Sequence, residues 1–364
     1  MGFILIGHGC IDMSKKKILY VASRLSHISN FHTPYIQELE NAGYTVHTAT
    51  EGFEKDGKLY RNIKVLIGLI RLIKREKYGL ISTHSTLAGF LGRLAAGAAM
   101  SKARILHTSH GYLFKDDGSI RSRLMIFAEK IFASRTDVLF VMNKDDWSIA
   151  VKYELCRQIE FINGMGIDVR RLKTHTNAEM ERIKEKYGIP PDKKYLLCVG
   201  EFSKRKNQEC VIRALEVHIN RFSKPDEDYH YHIIFLGCGI LFEHCKAVCN
   251  GLGLTRRVTF CGHVDETDCF YQMSYCVISA SRYEGLPFNV LEALHYGKPV
   301  IASDVKGHKD LIKNGFNGYL YEYGDHARLS QLFDKIPKID PANVFLDDKY
   351  LLVNVGGKIM EHLL

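Results

Sequence analysis

Two doubly wound α/β units, each a parallel sheet covered by helices, are the fold class this sequence predicts. Three observations point to it. Short β-rich runs alternate with helical patterns along the whole chain, as strand–helix–strand crossovers do. The length of 364 residues exceeds one ordinary core and suits two domains of roughly 150 to 200 residues each. Near the middle, "GMGIDVRRLKTHTNAEMERIKEKYGIPPDKK" carries glycines, a Pro-Pro pair and dense charge, as a linker with one short helix would.

Taken in order, residues 1–12 precede "MSKKKILYVAS", which reads as a natural start at Met13 and makes the first twelve an N-terminal extension without order. The strands of the first half are "KILYVAS", "YTVHTAT", "GLISTHS", "RILHTSH", "DVLFVMN" and "IEFING"; those of the second are "YLLCVG", "YHIIFLG", "VTFCG", "CVISAS", "PVIAS" and "GYLYE". This places a first Rossmann-like domain at 13–176 and a second at 177–345. At 346–364, "YLLVNVGGKIMEHLL" forms a helix despite its two glycines and is expected to pack back on the first domain. Ligands of such sheets bind outside the carboxyl ends of the strands, so two facing units are expected to enclose one interdomain cleft.

The composition is that of a soluble globular protein. No apolar run approaches the roughly 20 residues that span a bilayer, and "MGFILIGHGCID" lacks the basic start and long apolar segment of a secretory leader; the chain reads as cytoplasmic. Ten cysteines include no Cys-x-x-Cys pair. Cys245 and Cys249 read as helix packing, which predicts reduced thiols and no zinc. Charge is divided unevenly: residues 1–176 hold 26 Lys and Arg against 16 Asp and Glu, a net +10, and residues 177–364 hold 24 against 25, a net −1. Such a bias serves nucleic acid, acidic lipid headgroups or a phosphorylated substrate. Without a reading motif or an aromatic-interleaved basic run, nucleic acid is excluded. In "NIKVLIGLIRLIKREK", Asn62 to Lys77, apolar residues at 63, 66, 67, 70 and 73 have helical spacing. That predicts a packing helix whose basic side is available to an anionic membrane surface.

The chemistry concentrates in "SRYEGLPFNVLEALHYGKPVIASD", Ser281 to Asp304. "CVISAS" is an apolar strand, "RYEGLP" a turn, and "FNVLEALHYG" a helix of about two turns closed by Gly297. Amides of Leu286, Phe288 and Asn289 at the helix start offer a phosphate site. Glu292 lies about 6 Å further along the axis, where a carboxylate can accept from both ribose hydroxyls. Glu284, before the turn, is placed on the other side of the phosphates. The arrangement fits a nucleotide-sugar. The plain alternative is two surface glutamates near a helix start, where acids are favoured.

This stretch resembles the donor-site signature of retaining glycosyltransferases of family 4, which have the two-domain GT-B fold. The resemblance runs from Met13 through "VGEFSKRKNQ", "FLGCG" and "VTFCGHV"; "HISNFHTPYIQELENAGYTVH", "HGYLF" and "EKIFASRTDVLFVMNKDD" resemble bacterial members that build capsule, exopolysaccharide or lipid-linked oligosaccharide. It implies a UDP-sugar donor and a lipid-linked glycan acceptor, with the protein peripheral to the inner face of the membrane. Glu292 would bind the ribose and Glu284 the donor sugar. Lys206 would be the cation on the diphosphate, with Gly200, Ser203 and Arg205 around it and Gly285, Leu286, Pro287, Phe288 and Asn289 as the cradle. Where the family commonly has an Arg five positions before the Lys, this chain has Glu201; it must turn away, or Lys204 and Arg205 must compensate. "FCGHV", with Cys261, Gly262, His263 and Val264, would read the base edge. His110 would reach the donor sugar, and His27, Asn30 and His32 would hold the acceptor.

The resemblance implies no required cofactor and no metal at the donor site. "KDDG" at 115–118 and "KDD" at 144–146 resemble metal-binding carboxylates but read as structural, and "GCG" at 237–239 is too short for a dinucleotide site. Two competing readings share the fold: a UDP-sugar 2-epimerase, which needs further cleft carboxylates, and a non-catalytic nucleotide-sugar-binding partner subunit.

Overall fold

The computed structural model describes residues 16–50, 59–221 and 231–364; the expected extension at 1–12 lies outside them. In the first unit the chain runs β1 (Lys17–Val21), α1 (Leu25–Phe31), α2 (Thr33–Asn41), β2 (Thr45–Ala49), α3 (Leu59–Glu76), β3 (Leu80–His84) and α4 (Thr86–Ala98). It continues through β4 (Arg104–Ser109), α5 (Ile120–Ile131), β5 (Val138–Val141), α6 (Lys144–Lys152) and β6 (Gln158–Phe161). The second unit holds α7 (Asn177–Tyr187), β7 (Lys194–Val199), α8 (Gln208–Asn220), β8 (Tyr231–Leu236), α9 (Phe242–Gly251), β9 (Val258–Phe260) and α10 (Asp268–Met273). Its remaining elements are β10 (Cys276–Ser279), α11 (Phe288–His295), β11 (Val300–Ser303), α12 (His308–Leu311), β12 (Gly318–Tyr321) and α13 (His326–Phe333). One compact unit comprises the described residues up to Gly166 with Leu352–Leu364, and the other Ile167–Leu351. The final helix, α14 (Leu352–Leu363), packs on α2.

Both sheets are six-stranded and parallel, with orders β2-β1-β3-β4-β5-β6 and β12-β11-β10-β7-β8-β9. All twelve strands fall on the runs the sequence marks. Parallel sheets are covered on both faces and favour continuous apolar strands, and β8 and β10 are buried along their whole length. In the second unit the strand order reverses between β7 and β10; in the first it does so between β1 and β3. Loops leaving neighbouring strands at such a switch point diverge and leave a crevice at the carboxyl ends.

Three sequence readings find a packing explanation. Cys245 and Cys249 are buried on one face of α9, against the core of the second unit, and the nine described cysteines are all free. Asp146, fully buried, accepts from the amide of Tyr112 and the carboxamide of Asn143, both at 2.8 Å; the acid of "KDD" pins the loop that follows His110. Asp116 pairs with Lys152 and with the Tyr153 hydroxyl. On α3 the apolar face is rotated from the expected one. Leu69, Leu72 and Ile73 are buried, with Val65, Leu66 and Ile70 against them, while Ile63 and Ile67 stay exposed. Both stripes satisfy the helical period, and packing against α4 selects between them.

Within the first unit, Arg93 on α4 is 1% exposed; it donates to Glu129 Oε2 at 2.8 Å and to Gly89 O at 3.0 Å. Removing one partner of such a buried pair leaves an uncompensated charge, at about 3–5 kcal/mol. Glu129→Ala should therefore lower urea stability by that order; a loss under about 1 kcal/mol, the range of exposed pairs, would show that the pair is not a buried constraint.

Candidate active site

At the carboxyl end of the second sheet, the loop after β7 turns tightly. Lys206 N and Asn207 N both bond to Ser203 O, at 3.1 and 3.0 Å, and the Lys206 stem crosses the face of Gly200. The neighbouring strand β10 leads into the turn holding Glu284. Glu284 Oε1 accepts from Lys206 Nζ and from Arg205 Nη1, each at 2.8 Å. The two loops are further tied by Arg282 N donating to Arg205 O at 2.7 Å. Burial by itself pushes the Glu284 carboxyl up, but the charges of Lys206 and Arg205 outweigh it and hold the pKa at about 2. Glu284 is therefore a fixed carboxylate at any physiological pH.

Behind it lies a residue the sequence reading missed. His308 is fully buried; its Nδ1 lies 2.8 Å from Ser303 O and its Nε2 lies 3.0 Å from Ser279 Oγ. A carbonyl can only accept, so Nδ1 carries the proton and Ser279 donates to Nε2. Burial lowers the His308 pKa to about 4 despite the pull of Glu284, so the ring is neutral. Gly307 has φ +84°, and a Cβ there would stand 2.4 Å from Gly285 O; the turn can seat itself only because this position has no side chain. "GCG" has a similar purpose: a Cβ on Gly237 would meet Gly200 O at 2.2 Å, so this glycine admits the β7 loop and is no dinucleotide fingerprint.

Gly285, Leu286 and Pro287 are buried and lead into α11, whose N-cap is Pro287 with no side-chain cap. Phe288 opens the helix, and Asn289 is fastened to Val199 O through its Nδ2 at 3.3 Å. An uncapped helix start presents partial positive charge to an anion. One turn on, Glu292 Oε2 accepts from the Tyr271 hydroxyl at 2.7 Å. Burial raises the Glu292 carboxyl to about 7, opposed by that hydrogen bond and helped by Asp268. Tyr271, fully buried and stacked on Tyr296, gave no sequence signal, because an aromatic in "CFYQM" reads as core.

Glu201 and Lys204 are exposed. In the loop after β9, Gly262 O accepts from Gly237 N at 2.7 Å and Cys261 N donates to Phe235 O at 3.0 Å; His263 is exposed, 3.1 Å from Asp265, and Val264 is half-buried.

The other predicted residues belong to the first unit. His27, His32 and His110 come together there, joined by His84, which no motif singled out; His27 and His110 rings meet edge to face with centroids 4.3 Å apart. Asn30 is exposed, with Ser29 Oγ 3.5 Å from its Oδ1, and is outside this cluster.

Protein-family comparison matches "Glycosyl transferases group 1" over residues 179–343 and "Glycosyl transferase 4-like domain" over residues 32–146. EpsD of Bacillus subtilis is 28% identical over 341 residues, 88% of each chain. A UDP-Gal:alpha-D-GlcNAc-diphosphoundecaprenol alpha-1,3-galactosyltransferase of Escherichia coli is 29% identical over 272 residues, 73% of this chain and 68% of that one. Among solved structures, HepE of Anabaena in complex with UDP-glucose superposes with a TM-score of 0.73 at 17% identity, covering 95% of this chain and 99% of that one. At that identity the likeness speaks for the fold.

The two acids place their pH effects in opposite windows. Glu284, held at about 2 against an ordinary 4.5, contributes stability that is complete above pH 4.5 and lost as pH falls towards 2. Glu292, raised from 4.5 to about 7, costs stability as pH rises through that interval, because the folded state holds the proton longer. Thermal melts should show Glu292→Gln level with wild type near pH 4.5 and above it beyond pH 7. Glu284→Gln should melt below wild type at neutral pH, with the deficit closing on acidification. Parallel, pH-independent shifts for both variants would contradict these assignments.

Proposed function

Because the chain belongs to the group 1 glycosyl transferases and has the two-domain GT-B fold, we propose that this glycosyltransferase moves a sugar from a UDP-sugar, with retention, to a hydroxyl of a lipid-linked glycan. The observation that carries the reading is the pairing of Glu284 with Lys206 and Arg205 in the turn that leads into the uncapped start of α11. Two cations and a helix start are more positive charge than one carboxylate balances, and the excess suits a diphosphate. A relative named for UDP-Gal and a diphosphoundecaprenol acceptor supports the nucleotide and the lipid.

In this mechanism the diphosphate takes Lys206 from Glu284, and the cation with the α11 amides stabilises charge developing on the leaving UDP. Glu292 accepts from the ribose hydroxyls, and the loop from Cys261 to Val264 borders the base. A carboxylate with a pKa of about 2 is a poor proton shuttle near neutrality, so Glu284 orients the sugar. The leaving phosphate takes the acceptor proton in a front-face attack. His110 is assigned to the sugar, and His27, Asn30 and His32 to the acceptor. The donor site needs no metal, because Lys206 and the helix amides neutralise the phosphates.

The acceptor side is assigned to the basic first unit, docked on an anionic bilayer at the cytoplasmic face. Among the described residues no helix is long and apolar enough to cross a membrane. On α3, Arg71, Lys74 and Arg75 are exposed beside Tyr60, Ile63 and Ile67. On α5, Ile120, Leu124, Phe127 and Ile131 are exposed along one stripe with Arg121, Arg123 and Lys130 at its sides, the mixture an interfacial helix presents to acidic lipid. Each Lys or Arg near such a surface contributes about 1 kcal/mol and loses it as salt rises.

Calorimetry with UDP in EDTA should show binding undiminished; loss restored only by a divalent cation would contradict the donor-site chemistry. Glu292→Ala should weaken UDP by roughly 1.5–3 kcal/mol. Glu284→Gln should leave UDP affinity level or tighten it, since Lys206 is released, while lowering turnover. Equal losses of UDP affinity in both variants would rule out this division of roles.

Co-sedimentation with vesicles containing phosphatidylglycerol should require the anionic lipid and fall with salt. It should weaken when Arg71, Lys74 and Arg75 become Glu, and when Leu124 and Phe127 become Ser. A wild type that ignores such vesicles at low salt and glycosylates phosphate-free soluble acceptors equally well would overturn the membrane assignment.

A further inference from the structure

The first unit gathers imidazoles at the switch point of its own sheet. His27 lies in α1, the helix after β1; His32 follows α1; His84 ends β3; His110 follows β4. One ring nitrogen from each of His27, His32 and His110 lies within 4.8 Å of the others. His32 is 1% exposed, and its buried Nε2 has no hydrogen-bond partner. A buried polar atom left so is costly, and a ligand at that nitrogen would satisfy it. A neutral imidazole has one ring-nitrogen lone pair to give to an ion.

We propose that His27, His32 and His110 form a site for a borderline transition-metal ion of the Zn2+ class. Three imidazoles and no carboxylate select such an ion over Mg2+ or Ca2+, which take oxygen ligands. Movements of about 1 Å bring ring nitrogens from the observed separation to tetrahedral spacing around an ion at about 2.0–2.1 Å. A three-histidine set leaves a fourth position for an oxygen ligand. His84 supports the site from outside. Its Nδ1 contacts His110 Nε2 at 3.5 Å and its Nε2 lies 3.0 Å from Ser82 Oγ, while Tyr20 stacks on its ring at 5.3 Å. The phosphate-binding residues of the second unit stay free of metal; of the three ligands only His110 is assigned above to the donor sugar, and the ion would mediate that contact. If the acceptor assignment above also holds, the histidines meet acceptor oxygen through the ion.

Equilibrium dialysis of the full, tag-free chain against Zn2+, read by plasma emission, should give one tightly held ion per chain. Co2+ in its place should show the intense visible bands of a tetrahedral nitrogen-ligated ion. His32→Gln and His110→Gln should weaken binding by more than the roughly 10- to 100-fold that loss of an outer-shell partner costs, and His84→Gln should fall within that range. His47→Gln, whose ring instead bonds the Tyr78 hydroxyl at 2.7 Å, should retain the ion. Circular dichroism separates lost folding from lost ligation, and the wild-type Co2+ spectrum decides without any variant. No saturable ion, an octahedral spectrum, or binding equal in all the folded variants would overturn the site. UDP calorimetry is an independent readout, so failure here leaves the donor reading standing.

Discussion

The second unit is organised around one ionic contact: Glu284, mostly buried, held between Lys206 and Arg205. A carboxylate withdrawn from water is costly unless it is paired and hydrogen-bonded, so the loops after β7 and β10 must meet for either to be stable. The strand order makes them meet, because β7 and β10 are neighbours although two strands and three helices separate them in sequence. Gly307 then lets the Glu284 turn sit against the chain behind it, and Gly237 admits the β7 loop. The same contact is what a phosphorylated ligand would exploit. It keeps Lys206 in place beforehand, and an anion of higher charge can replace the carboxylate with little rearrangement, as preorganised electrostatic sites require.

The two glutamates are one helix turn and a loop apart in sequence, but the fold gives them opposite electrical states. Cations keep Glu284 ionised, whereas burial, helped by Asp268 and opposed by the Tyr271 hydrogen bond, raises the Glu292 carboxyl to about 7. In the proposed reaction the first is a permanent charge and the second is a group whose charge can follow the ligand. Each is held by partners of its own, Glu284 by Lys206 and Arg205 and Glu292 by Tyr271, and the proposed mechanism lets the leaving phosphate accept the proton. The first unit is built differently. Its carboxyl-end loops carry neutral rings in place of paired charges, and its exposed helices carry the basic surface.

Much of this was legible in the sequence because it is local. Alternating β-rich and helical runs locate every strand, and "EGLPFN" followed by "VLEALHYG" marks the helix start and its Gly297 end. Lys206, Glu284 and Glu292 could be named from their motifs. Their partners could not. His308 and Tyr271 sit in stretches that read as ordinary core, and His84 is a strand residue whose histidine neighbours come from α1, the residue after it and the loop after β4. The face of α3 was misplaced because two apolar stripes fit one helical period and only α4 chooses between them. Metal ligation was sought among cysteine spacings and aspartate pairs. His27 and His32 share the stretch "HISNFH", but His110 comes from the loop after β4, and no spacing links it to them.

The most direct measurement of the central claim is transfer itself. UDP-sugars would be screened against short lipid-pyrophosphate glycans, with product followed by mass and its new anomeric centre by NMR. The account predicts a product heavier by one sugar, with the anomeric configuration of the donor retained, formed by wild type and strongly diminished in Glu284→Gln. A product of inverted configuration, or conversion of the UDP-sugar without any acceptor, would contradict it.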